Sequence, residues 1–67
     1  MNERELNFFE LYLRNYLADS LDDRKDDEVF IAARSEAAEA EFISQRSNGL
    51  TVEQARELAN KVLTEGL

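Results

Sequence analysis

Apolar residues recur along this chain at spacings of three and four, the signature of helices with one greasy side. Leu6, Phe9, Leu13, Tyr16 and Leu17 form such a stripe and predict a first helix over residues 3–20. Asn2 stands where an N-cap belongs, and Glu3 and Glu5 suit the positive end of the helix dipole. A second helix is predicted over 27–47. Its middle is rich in alanine, the best helix former, and its bulky residues cluster at the two ends: Val29, Phe30 and Ile31, then Phe42 and Ile43. Two sides of this helix are apolar: Phe30, Ala33, Ala37 and Ala40 on one, Ile31, Ala38 and Phe42 on the other. Such a helix sits centrally in a bundle or touches something outside it. A third helix is predicted over 52–64, where Val52, Ala55, Leu58, Ala59, Val62 and Leu63 make one stripe. Glu53, Arg56, Glu57, Asn60 and Lys61 are expected to face water.

The breaks between these patterns differ. Residues 22–27, Asp-Asp-Arg-Lys-Asp-Asp, hold no apolar side chain and read as a solvated connection, with Asp26 or Asp27 capping the second helix. A calcium loop would need alternating carboxylates and a glycine for the sharp turn, and this run has neither. The second break is tighter. Gly49 can take the left-handed conformation that closes a helix, and Leu50 supplies the apolar contact that often follows. Thr51-Val52-Glu53-Gln54 is a capping box that starts the third helix. Gly66-Leu67 repeats the Gly-Leu stop. The reading is an all-α fold, a small three-helix bundle, with residues 1–67 as a single helical domain.

One part of the pattern exceeds what such a bundle needs. Phe8, Leu11 and Tyr12 project away from the main stripe of the first helix, with Phe8 and Tyr12 an i,i+4 pair. They either pack under the second helix or serve as an intermolecular interface. A domain of this size buries only about 60% of its unfolded surface, and its core rarely supplies more than about 3–5 kcal/mol. Disulfides and metals, the usual supplements, look absent, which leaves a partner subunit. Phe8, Leu11 and Tyr12 are therefore the candidate interface residues, and a homo-oligomer or other protein partner is expected.

Composition narrows the chemistry. The chain has 67 residues, no His, Cys, Trp or Pro, and 15 acidic against 8 basic residues, a formal charge of −7. Without His or Cys there is no imidazole base, no thiolate nucleophile and no common zinc ligand. Glu36, Glu39 and Glu41, or Glu53 and Glu57, could pair as acid and base, but helical glutamates without a cleft are solvated. Catalytic, cofactor-binding and metal-ligating residues are therefore each read as none, and the protein as not an enzyme, with no small-molecule substrate. The charge disfavours nucleic acid and anionic membranes. Gly-Leu-Thr-Val-Glu-Gln-Ala at residues 49–55 has the general look of a helix-turn-helix, but the third helix is too acidic to read DNA. The acidic side chains Asp19, Asp22, Asp23, Asp26, Asp27, Glu28, Glu36, Glu39 and Glu41 support an alternative, an inhibitor that mimics nucleic acid and occupies a basic protein. No signal peptide or membrane span is evident, so the expected location is cytoplasmic.

Three stretches together carry a family resemblance: residues 5–17 (ELNFFELYLRNYL), 30–38 (FIAARSEAA), and 55–59 (ARELA) with 63–67 (LTEGL). They resemble the N-terminal half of an uncharacterised domain-of-unknown-function family encoded on conjugative transposons of anaerobic gut bacteria. The resemblance covers nearly the whole chain but rests on helix-core patterns, and it brings no functional residues. It implies a helical fold, a cytoplasmic setting and a link to mobile DNA. Members often continue into a second helical segment after the Gly-Leu, so this chain would be a short member or one whose missing half is replaced. The function expected is a non-enzymatic, self-associating interaction module, an accessory or regulatory protein of a mobile genetic element.

Overall fold

The three apolar stripes become three helices. The computed structural model describes residues 3–67, with side-chain surroundings from Asn7 onward. Helix α1 spans Glu3–Asp19, α2 spans Glu28–Ser47 and α3 spans Val52–Leu63, and no strand occurs among the described residues. The Asn2 cap and the Leu6 side chain lie outside what is described.

Each helix contributes three residues to one core: Phe9, Leu13 and Leu17 from α1, Ile31, Ala38 and Phe42 from α2, and Ala55, Ala59 and Leu63 from α3. Burying a Leu, Ile or Phe side chain stabilises by about 1.5–3 kcal/mol, so this cluster is the main driving force. The rings of Phe9 and Phe42 meet edge to face, centroids 6.2 Å apart. Alanines at 38, 55 and 59 allow α2 and α3 to lie close together. Helix α2 is central and packs on both neighbours, while α1 and α3 touch each other over only a short length.

Of the two apolar sides of α2, the bundle buries the one with Ile31, Ala38 and Phe42, and adds Ser35 and Glu39 to it. On the other side Ala33, Ala37 and Ala40 are exposed. An alanine gains little from burial, so bulky Ile31 and Phe42 decide which side turns inward. Phe30 is half-buried, with the Arg24 and Arg34 guanidinium carbons 5.0 and 5.3 Å from its ring centre. Two further expectations need correcting. Val52 at the start of the α3 stripe is 41% exposed, beyond the reach of the core. Arg56 and Asn60, expected in water, are half-buried because their side of α3 turns toward the bundle.

Both connections are ordered by local hydrogen bonds. The first is more than a solvated run, because Asp23–Asp26 forms a short 3₁₀ helix. The Asp22 carboxylate accepts from the Arg24 backbone N–H at 2.9 Å and from Arg24 Nε at 2.9 Å. Asp27, one of the two caps anticipated, accepts from the Phe30 N–H at 3.0 Å. In the second, Gly49 has φ +94°. The Thr51 hydroxyl accepts from the Gln54 N–H, and the Gln54 side chain accepts from the Thr51 N–H, both at 3.1 Å. Arg46 Nη1 donates to the Leu50 carbonyl at 2.7 Å, and Arg34 Nη1 donates to the Glu65 carbonyl at 2.7 Å, tying α2 to both ends of α3.

Candidate interaction surface

Helix α1 presents Phe8, Leu11 and Tyr12 in three different settings. Phe8 is half-buried and packs against the core. Its ring meets that of Phe9 edge to face at 5.3 Å, and the Arg56 guanidinium carbon lies 4.5 Å from its centre. A cation over an aromatic face contributes about 0.5–1 kcal/mol at a surface, so Phe8 is partly used in holding α1 to α3. Tyr12, one turn on, is tilted against Phe8 at 6.2 Å and is 40% exposed. Leu11 is 61% exposed. The surplus thus splits: Phe8 serves the fold, and Leu11 and Tyr12 stand in water.

Beside them, Tyr12, Asn15, Tyr16 and Asp19 line a shallow groove of about 330 Å³. A second groove, of about 360 Å³, runs between α2 and α3 and is lined by Glu41, Leu58, Lys61, Val62 and Glu65. Both are open to solvent and lack the enclosed, desolvated character in which acid–base pairs are tuned.

The carboxylates do not form one array. Glu39 is buried beneath the helix packing, so it is removed both from any exposed acid–base pair with Glu36 or Glu41 and from a nucleic-acid-like surface. Asp27 is occupied as a cap. Asp22 is paired with Arg24, and that hydrogen-bonded guanidinium holds its carboxyl down at about 2. The same pairing raises the Arg24 pKa. Among the described residues no three His, Cys, Asp or Glu side chains come together to hold a metal, and no helix is long and apolar enough to cross a membrane.

Three exposed side chains escaped the sequence reading, among them Ile43 of α2, 45% exposed. Leu21 is 89% and Val29 81% exposed, one on each side of the 3₁₀ turn. Val29 could have been found from its place off both apolar sides of α2. Leu21 carries a weaker signal, since it falls beside Leu17 at the edge of the core stripe of α1.

The family of unknown function DUF1896 matches residues 1–67. The chain belongs to this family. Membership of an uncharacterised domain family is what the sequence resemblance implied. No curated protein and no solved structure matches the chain.

Proposed function

We propose that this DUF1896 chain is a non-enzymatic protein-interaction module that associates with itself through the outer side of α1. The observation that carries this reading is the exposure of Leu11 and Tyr12, 61% and 40%, on a helix that already gives Phe9, Leu13 and Leu17 to the core. Aromatic and large apolar residues outside a small core are the usual anchors of an interface. Twofold pairing would bury them on both copies at once and supply the stability that a domain this small lacks. The acidic surface favours solubility between such pairs. The nucleic-acid-mimic reading loses support with Glu39 buried and Asp22 and Asp27 engaged within the fold. The setting we infer is cytoplasmic, with the chain an accessory or regulatory protein of a mobile genetic element such as a conjugative transposon.

Sedimentation equilibrium tests the reading. The parent chain is expected to show a doubled mass at high micromolar concentration, and Leu11→Arg to give a monomer that keeps its helix content. A parent that stays monomeric throughout would refute self-association.

A further inference from the structure

We propose that α1 exchanges between two copies of this chain, so that α1 of each copy packs on α2 and α3 of the other. This goes beyond the pairing through Leu11 and Tyr12: the exchanged copies would be two antiparallel rods with a first helix at each end, and Leu11 and Tyr12 would still face outward. Leu21 is the hinge. Phe9, Leu13 and Leu17 follow one another at intervals of four and are buried. Leu21 is the next residue in that series, so one more turn of α1 would place it beside Leu17 at the edge of the buried stripe. Instead the chain turns away there. Leu21 adopts φ +54° and is 89% exposed. A left-handed leucine is strained, and an exposed one gains nothing in return.

Nothing in the hinge segment forbids a continuous helix. Residues 20–28 contain neither Gly nor Pro, and Asp23–Asp26 is already a 3₁₀ helix. Returning Leu21, together with the extended Asp22 and Asp27, to helical geometry would join α1 to α2 in one rod of about 45 residues, roughly 67 Å long. Main-chain helix bonds would replace the Asp22 and Asp27 side-chain caps. The strain at Leu21 would be relieved and its side chain would lie beside Leu17. The core contacts of α1 would be remade between copies, while those between α2 and α3 would stay within each copy.

Helix α1 is also the easiest of the three to lift. It meets α3 over a short length, and the Tyr16 hydroxyl reaches the Leu67 carbonyl only at 3.5 Å. The α2 face that meets Phe9 through Phe42 also carries Ser35 and Glu39. Ser35 Oγ and Glu39 Oε2 are buried there without a hydrogen-bond partner. Covering such atoms is unfavourable, which subtracts from the hold on α1. One term opposes exchange: the two hinge segments would cross with Asp22, Asp23, Asp26 and Asp27 of each copy close together, against only Arg24 and Lys25. Salt weakens that repulsion.

The test mixes ¹³C-labelled and unlabelled chains in equal parts, unfolds and refolds them together at high concentration and high salt, and records isotope-filtered NOEs between the Phe9 and Phe42 rings. Exchange is expected to give intermolecular Phe9–Phe42 NOEs in the dimer. Leu21→Gly, which folds at least as well because glycine is at ease in the left-handed region, is expected to lower the exchanged fraction by about fivefold or more. A dimer whose Phe9–Phe42 NOEs are all intramolecular, or one in which Leu21→Gly leaves the exchanged fraction unchanged, would overturn the exchange while leaving self-association intact. A chain that remains monomeric would overturn both.

Discussion

The two connections of this bundle use the same device with different residues. At the end of α2, the Leu50 N–H donates to the Gln45 carbonyl at 3.1 Å and the Gly49 N–H to the Arg46 carbonyl at 3.0 Å. At the end of α1, the Asp22 N–H donates to the Leu17 carbonyl at 2.9 Å and the Leu21 N–H to the Ala18 carbonyl at 3.1 Å. Both are Schellman closures, with one residue in the left-handed region. In the second that residue is Gly49, at no steric cost; in the first it is Leu21, whose Cβ crowds the backbone. The second connection is thus set by local chemistry. The first is imposed on its sequence by the packing of α1 on α2. A turn that needs tertiary contacts to hold it is also a turn that can open.

That contrast can be broken or sharpened by substitution. Gly49→Val is expected to have the largest effect, a loss of about 2 kcal/mol, because a β-branched residue tolerates positive φ poorly. The cost is purely conformational, since an added Cβ at Gly49 meets nothing within 4 Å. Denaturant unfolding measures it, and a midpoint matching the parent would mean that the second turn is no more demanding than the first. Removing one cap from each connection comes next. Thr51→Ala and Asp27→Ala should each cost about 1 kcal/mol. Amide exchange separates them: Thr51→Ala should speed exchange at the start of α3, and Asp27→Ala at the start of α2. Leu21→Gly should have the opposite sign, stabilising by up to about 1 kcal/mol where glycine suits the left-handed conformation. A lower thermal midpoint for that variant would show that Leu21 is not strained.

The smallest effect concerns pH. The folded-state carboxyl of Asp22 lies at about 2, below the ordinary value of 3.8, because of its hydrogen bonds to Arg24. A depressed carboxylate pKa gives stability that is present above the unfolded value and is lost as pH falls through the folded one. The Arg24–Asp22 pairing is therefore expected to weaken between about pH 4 and pH 2. The chemical shift of the Arg24 amide follows it directly. The second connection, which relies on hydroxyl, amide and main-chain groups, should not respond in that range.

Much of this architecture was legible residue by residue. The helix type, the Gly49 turn, the Thr51–Gln54 box and the Asp27 cap all rest on interactions within a few residues, which a linear pattern records. The candidate surface was legible only in part. That Phe8, Leu11 and Tyr12 leave the main stripe of α1 follows from helical spacing. That Arg56 covers Phe8, while Leu11 and Tyr12 stay exposed, depends on where α3 comes to lie.

By itself the sequence determined the three helices, the Gly49 and Thr51–Gln54 signals between the last two, and the inventory that leaves no imidazole or thiol to work with, because these depend on residue identity and short-range spacing. The tertiary structure alone decided which side of α2 turns inward. The bulky Ile31 and Phe42 win over a row of alanines and draw Ser35 and Glu39 in with them, because apolar area gained outweighs polar groups lost. It also decided that Leu21, beside Leu17 at the edge of the α1 core stripe, is turned out into water. No Gly or Pro at the end of α1 marks the turn at Leu21. Only the gain from folding α1 back on α2 is large enough to hold a leucine left-handed and in water.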